Sequence, residues 1–216
     1  MTDYKTLKTR HREIREKQPQ SISIRVHRAL SWLEEAERQE QYDMQFLSLW
    51  ISFNSIYAQE LDPQISFSEK GRFKQFISQL VHLDQDASLF DLVWENYADK
   101  FYLFVNNPYV SRPFWDFQRG IIKEQDWKPR FEQSCQAAEK ALIEKDTAVF
   151  FKILFDRLYM LRNQLIHGGA TFGSKLNREQ VRDGCRILKK IVPSIISIVM
   201  EHPNKPWGEP CFPPVK

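Results

Sequence analysis

Apolar residues recur every three or four positions along this chain, from about residue 21 to residue 202. This spacing is typical of α-helices that bury one face, whereas strands with one buried face alternate every second residue. The pattern therefore predicts an all-α fold. The predicted helices cover residues 22–39, 42–60, 68–83, 88–105, 113–122, 129–144, 147–167 and 177 to about 202. The run LWISFNSIY in the second helix is apolar on nearly every side, so we expect that helix to lie at the centre.

The chain divides into one helical domain, residues 21–202, and two end segments of different composition. Residues 1–20 are polar and rich in charge, and we interpret them as a charged N-terminal extension. Residues 203–216 form a proline-rich C-terminal tail that also contains Trp207 and Phe212. Because large aromatic side chains gain free energy when they leave water, we expect this tail to pack on the helical body.

Composition narrows the class of protein. Of 216 residues, 42% are hydrophobic, which is enough for a core, and the net charge of +3 permits a nucleic-acid partner without requiring one. The three cysteines are widely spaced and odd in number, so they indicate no disulfide framework and suit a reducing cytoplasm. The N-terminus lacks the apolar core of a signal peptide, and the longest apolar run is too short to span a bilayer. We therefore predict a cytoplasmic protein without a membrane segment.

The stretch with the most chemistry is FDRLYMLRNQLIHGGATFGS, residues 155–174, where the helical pattern stops at a Gly-Gly pair. Arg162, Asn163 and His167 occupy the last turns of that helix. An arginine, an amide and a histidine at a helix end can bind a phosphate, move a proton and stabilise the charge that develops in phosphoryl chemistry. Helix termination alone explains the same residues, because histidine and arginine also stabilise the last carbonyl groups of a helix.

Arg162 and His167 are five residues apart, so they lie about 140° apart around an ideal helix and roughly 7.5 Å apart along it. One phosphate can meet both groups if the arginine reaches round, if the last turn tightens, or if a second copy of the helix supplies one of them. Asn163 shares a face with His167 and with Asp156. The predicted buried face consists of Phe150, Leu154, Leu158, Leu161 and Leu165.

The sequence RNQLIH, residues 162–167, matches the R-x4-H signature of the HEPN superfamily, including the polar residue that many members carry after the arginine. The resemblance extends to LFDRLYMLRNQLIHGGA before a long final helix, and the run WISFNSIY is similar to a W-x-x-F-N-x-x-Y helix of bacterial members. NREQVRDG and WGEPCFPP resemble features of one bacterial branch. The resemblance covers most of residues 21–202.

The resemblance implies a HEPN-like bundle of four or five core helices, here with extra helices, that dimerises with its R-x4-H motifs in a shared cleft. Many members are metal-independent endoribonucleases, often toxins or antiviral effectors. By this resemblance His167 would transfer protons, Arg162 would bind the phosphate and clamp the transition state, and Asn163 would orient them. The RNA 2′-hydroxyl would attack the adjacent phosphate, leaving a 2′,3′-cyclic phosphate and a 5′-hydroxyl, without a metal or cofactor.

The same superfamily also supports a different function. Some members bind RNA or nucleotides, or mediate assembly, without cleaving anything, so a non-catalytic binding or assembly module is the alternative. Members paired with a minimal nucleotidyltransferase antitoxin typically carry a tyrosine two residues after the histidine, where this chain has Gly169. That form of regulation is therefore not expected, and an antitoxin or regulator of another kind is unidentified.

Other residues are candidates for supporting roles. Asn54, in the WISFNSIY helix, and Asp156, two turns before Asn163, could support the catalytic groups by hydrogen bonding; the alternatives are a buried structural amide and a surface charge. The last helix carries a basic stripe that could follow an RNA backbone, although a solvated helix face has the same spacing. The stripe consists of Arg178, Arg182, Arg186 and Lys190. We find no metal-ligand spacing, P-loop or dinucleotide fingerprint, and expect no metal or cofactor.

Overall fold

The computed structural model describes residues 3–59, 69–96, 98–175 and 178–212. Within these residues the protein is all-α, as the hydrophobic pattern predicts, and its one β feature is an isolated bridge between Gln59 and Pro210. The helices in these ranges are α1 Tyr4–Ile14, α2 Gln20–Arg38, α3 Tyr42–Tyr57, α4 Glu69–Leu83, α5 Ser88–Asp91, α6 Ala98–Val105, α7 Arg112–Gln118, α8 Glu124–Glu144, α9 Thr147–Ile166 and α10 Arg178–Glu201.

The bounds of the helices follow the prediction most closely for α2, α3, α9 and α10, where the apolar pattern is long. The predicted helix 88–105 is divided, because a π-helical segment, Leu92–Asn96, separates α5 from α6. Helix α8 begins at Glu124, before its predicted start at Pro129. The proline lies inside the second turn and does not break the helix. The predicted boundaries at Glu60, Ser68 and Asn177 lie outside the described residues.

Helix α1 was not predicted from the sequence and lies within the charged segment 1–20. Asp3 caps it by accepting a hydrogen bond from the Thr6 backbone N at 2.8 Å. Leu7 and His11, one turn apart, are its two buried residues, and the helix packs on α2 and α10. One buried leucine among charged neighbours gives too weak an apolar period to predict a helix.

Helices α2, α3 and α10 form the centre of the bundle, with α9 packed against α3 and α10. Helix α3 is buried on most sides, as its composition predicts. Gly184 of α10 permits the close approach, because a Cβ there would lie 2.8 Å from Leu161 of α9 and 2.9 Å from Phe46 of α3. Of the predicted buried face of α9, Phe150, Leu154, Leu158 and Leu161 are buried. The opposite face of α9 is therefore directed away from the core.

Within the described part of the C-terminal tail, residues 203–212, Trp207 and Pro210 are buried against the helical body, whereas Phe212 is 87% exposed. Pro213 and Pro214 lie outside the described residues. Trp207 is buried and meets Phe76 edge to face, with ring centroids 5.8 Å apart. Arg25, also buried, donates hydrogen bonds to the backbone carbonyls of Ile56, Ala58 and Gly208. The guanidinium therefore ties α2 to the end of α3 and to the tail.

Three further findings concern the cysteines, the length of the helices and the grouping of metal-ligand side chains. Cys135, Cys185 and Cys211 are free thiols. No helix in these ranges combines the length and the apolar character needed to cross a membrane. No group of three histidine, cysteine or acidic side chains in the same ranges could hold a metal ion.

Candidate functional site

The C-terminal end of α9 sets the position of His167. His167 is the C-cap residue, and Gly168 follows it with a φ of +70°, a left-handed conformation that glycine adopts without strain. The Gly169 N–H donates to the Gln164 carbonyl at 2.8 Å, and the Gly168 N–H to the Leu165 carbonyl at 3.4 Å. These two bonds form a Schellman motif. The Gly-Gly pair therefore ends the helix and leaves His167 exposed.

Arg162 and Asn163 are held together by a side-chain hydrogen bond, from Arg162 Nη1 to Asn163 Oδ1, at 3.0 Å. The Arg162 guanidinium also lies over the Tyr159 ring, 5.9 Å from its centroid. Its Nε is buried and has no hydrogen-bond partner among the described residues. Arg162 is thus oriented by its neighbours while part of its donor capacity is unused.

His167 does not share this environment. Its imidazole makes no hydrogen bond to a residue in the described part of the chain, and it does not line the cavity into which Arg162 projects. Of the three motif residues, the structure therefore brings the Arg162 and Asn163 side chains into direct contact, while the exposed His167 is joined to Asn163 only by the helical bond from its backbone N–H to the Asn163 carbonyl, at 3.0 Å.

A cavity of about 340 Å³ lies beside α9, between α3, α4 and the start of α7. We call it the aromatic pocket. It contains six aromatic rings, from Trp50, Phe53, Tyr57, Phe73, Phe155 and Tyr159. Its polar lining consists of Asn54, Lys74, Arg112, Lys152, Asp156 and Arg162.

The aromatic pocket brings together three residues that the sequence singled out separately, Asn54, Asp156 and Arg162. Asp156 faces the pocket with Arg162, although on an ideal helix it aligns better with Asn163 and His167. Sequence reasoning missed three cations, Lys74, Arg112 and Lys152. The spacing of Lys152, Phe155, Asp156, Tyr159 and Arg162 along one face of α9 was a usable signal.

A second cleft, of about 390 Å³, adjoins the loop that follows His167. It is lined by Tyr109, Phe114, Trp115, Gln118, Gly169, Ala170, Thr171 and Ser174. Gln164 Nε2 donates to the Tyr109 carbonyl at 2.7 Å and so attaches the end of α9 to the segment before α7. Because Arg112 of α7 lines the aromatic pocket, α7 contributes to both cavities.

The basic stripe on α10 is partly engaged within the protein. Arg178 binds Asp43 through two hydrogen bonds and also donates to the Ser174 carbonyl. Arg182 and Arg186 each lie 3.4 Å from the carboxylate of Asp183. Arg186 is the most exposed of the three arginines, at 58% of its side chain. RNA binding by the stripe stays a prediction, and Arg186 is the arginine best placed for it.

Comparison of the chain with protein-family models, with curated proteins and with solved structures gave no match. The chemistry of the site therefore rests on its own residues.

Proposed function

We propose that this protein is a metal-independent endoribonuclease of the HEPN type that acts as a cytoplasmic homodimer, with a role as a toxin or defence effector under an unidentified antitoxin or regulator. The observation that supports the activity best is the oriented Arg162–Asn163 pair in the last two turns of a helix whose C-cap is the exposed His167. Together the three side chains supply a phosphate clamp, an orienting amide and a proton carrier.

The proposed reaction is transesterification within one RNA strand. His167 accepts the proton of a ribose 2′-hydroxyl, and the 2′-oxygen attacks the adjacent phosphorus while the bond from phosphorus to the 5′-oxygen breaks. The protonated imidazole of His167 then donates a proton to the leaving 5′-oxygen. Arg162 stabilises the negative charge on the phosphoryl oxygens, because its planar fork can donate two hydrogen bonds to them. The products are a 2′,3′-cyclic phosphate and a 5′-hydroxyl.

A second copy of the chain is part of the proposal, because Arg162 projects into the aromatic pocket and His167 does not. Two large apolar side chains are exposed on either side of His167, Ile166 at the end of α9 and Phe172 in the loop after it. Exposed apolar side chains of this kind favour association. A partner bound there would supply its own motif, so that arginine and histidine of different chains meet one phosphate.

The first test is cleavage of single-stranded and structured RNA in the presence of a chelator, with mapping of the fragment ends. We expect 2′,3′-cyclic phosphate ends from the wild type and a rate at least about 100-fold lower from His167→Ala, since general acid–base catalysis contributes that much. His82→Ala, an exposed histidine of α4, is the matched control and should cleave normally. Cleavage that survives His167→Ala contradicts the proposed role.

The shared site is tested by mixing two inactive variants, Arg162→Ala and His167→Ala. A mixed dimer contains one site with both side chains intact if each site draws them from different chains. We therefore expect the mixture to recover activity that neither variant has alone. A mixture that stays inactive, although size analysis shows mixed dimers, means that both groups act within one chain.

A non-catalytic binding module is the second candidate, and one observation favours it. Arg162 is engaged with Tyr159 and Asn163, and it lines the aromatic pocket, which His167 does not line. In that case the wild type binds RNA or nucleotides without cleaving RNA, and His167→Ala binds equally well.

A further inference from the structure

Apart from Arg162, the aromatic pocket has a ligand-binding composition that the proposed cleavage chemistry does not use. Its cavity of about 340 Å³ falls in the size range of small-molecule sites. We propose that the aromatic pocket binds an unpaired nucleobase together with the phosphate beside it. This inference rests on the proposed function only in taking RNA as one source of that base; a free nucleotide is the other.

The rings of the pocket provide the surface for the base. Trp50, Phe53 and Phe155 are buried and form its interior. Tyr57, Phe73 and Tyr159 are more accessible, and Tyr159 is the most exposed ring, at 44%. The Tyr159 ring is tilted by 54° against Trp50, with 6.1 Å between centroids, and the Arg162 guanidinium lies 5.9 Å from its centroid, so the ring joins the aromatic interior to a cation. Bases stack on such rings whatever their sequence.

The cations of the pocket provide the site for the phosphate. Lys74, Arg112, Lys152 and Arg162 come from three different helices, and Asp156 is the one acidic residue among the lining side chains. Arg112 also pairs with Asp116 at 3.6 Å, so the four cations outnumber the two neighbouring carboxylates. Neither lysine pairs with a carboxylate in the described part of the chain. Four cations around one cavity attract an anion, and the unpartnered Arg162 Nε is a further donor.

Asn54 supplies the polar group that a base edge needs. It lies on α3 between Phe53 and the next pocket ring, Tyr57, and is half-buried. Its side chain makes no hydrogen bond to another described residue. A carboxamide offers both donors and an acceptor, which match the edge of a nucleobase. Rings, amide and cations thus correspond to the base, its edge and its phosphate.

The test measures binding to the full chain with His167→Ala, so that no RNA is cleaved. The probes are the four 5′-mononucleotides, inorganic phosphate and a single-stranded RNA octamer, titrated by calorimetry. We expect Tyr159→Ala, which removes a stacking ring, to weaken binding about 10-fold or more. Lys152→Ala removes a cation from the phosphate site and should also weaken binding about 10-fold. Tyr102→Ala on α6 and Lys140→Ala on α8, both exposed and outside the pocket, are the matched controls and should change affinity less than about 2-fold.

The two sources of the base give different results. Mononucleotides that bind as tightly as the octamer indicate a free nucleotide as ligand, whereas binding of the octamer alone indicates an RNA strand. Either result supports the pocket if Tyr159→Ala and Lys152→Ala weaken that binding. The inference is overturned if no probe binds, or if both pocket variants keep their thermal unfolding temperature and also keep full affinity. Cleavage by the wild type is scored separately: its absence with pocket binding intact refutes only the ribonuclease, and cleavage without pocket binding refutes only this inference.

Discussion

Arg178 donates two hydrogen bonds to the Asp43 carboxylate, from Nη1 to Oδ2 at 2.7 Å and from Nη2 to Oδ1 at 3.2 Å. The pair joins the first turn of α10 to the first turn of α3. The Gly173 N–H also donates to Asp43, at 3.3 Å, so the loop that follows His167 is fixed to the centre of the bundle. Asp43 is 4% exposed whereas the Arg178 side chain is 26% exposed, so the carboxylate is the buried member of the pair.

The first prediction separates two arginines of the basic stripe. Arg178→Ala should lower the free energy of unfolding by about 3 kcal/mol, because it leaves the Asp43 carboxylate buried without its cation. Arg186→Ala should change stability by less than about 0.5 kcal/mol and, if the stripe binds RNA, should reduce the salt dependence of binding by about one counterion. Urea denaturation and RNA titration at several salt concentrations measure the two effects. Equal stability losses in both variants would contradict this division.

The sequence predicted the fold where an apolar period was long enough to dominate. The buried seam of α9 and the burial of α3 are both confirmed by Phe150, Leu158 and Phe53. Helix α1 was missed because its apolar contacts with the core are few: Leu7 is buried, and Tyr4 and Ile14 are only partly buried. The Arg178–Asp43 pair joins residues that are 135 positions apart, a separation that no local spacing can reveal.

The candidate site could likewise be predicted only where its residues are close together in the sequence. The motif residues are neighbours along one helix, so their local arrangement at the end of α9 followed from sequence. Lys74 and Arg112 reach the aromatic pocket from α4 and α7, and their meeting depends on how three helices pack. Asn54 was interpreted as a support for the motif helix and Asp156 as an orienting group for a catalytic residue; both line the aromatic pocket with Arg162, and their supporting roles stay predictions.

The second prediction concerns the glycine after His167. Gly168→Ala forces a side chain into a left-handed conformation, where its Cβ would contact nothing within 4 Å, so the cost is backbone strain of about 1 kcal/mol. Gly120→Ala is a close match, with a φ of +72° and equally open space. Both should lower stability equally in thermal unfolding. Under the proposed function Gly168→Ala alone should slow RNA cleavage, because it shifts His167.

The third prediction concerns the tail. Trp207→Ala should lower the free energy of unfolding by about 4 kcal/mol, because it empties a buried site against Phe76 and leaves the His202 carbonyl without the indole donor at 2.8 Å. Phe212→Ala is the control, since that ring is 87% exposed and should matter by less than about 0.5 kcal/mol. Denaturation in urea measures both. A loss below about 1 kcal/mol for Trp207→Ala would show that the tail adds little to the fold.

The last prediction concerns pH. Burial lowers the pKa of His11 below its ordinary value of 6.5, and the nearby His27 and Lys8 lower it further. The folded chain therefore prefers neutral His11, whereas the unfolded chain takes up a proton near pH 6.5. Stability from this residue is complete above pH 6.5 and declines as pH falls below it, with a slope no steeper than about 1.4 kcal/mol per pH unit for one proton.

The residue responsible can be identified by replacing His11 with leucine, which occupies the same buried position on α1 without titrating. Unfolding free energies at pH 7.5, 6.5 and 5.5 should then decline less steeply with acid than in the wild type, whatever the variant's stability at pH 7.5. His27, whose pKa is also lowered by burial, is exposed and should contribute less, so His27→Leu should leave most of the pH dependence in place. If His11→Leu retains the full wild-type slope, the acid sensitivity arises from other residues and the burial of His11 is not its cause.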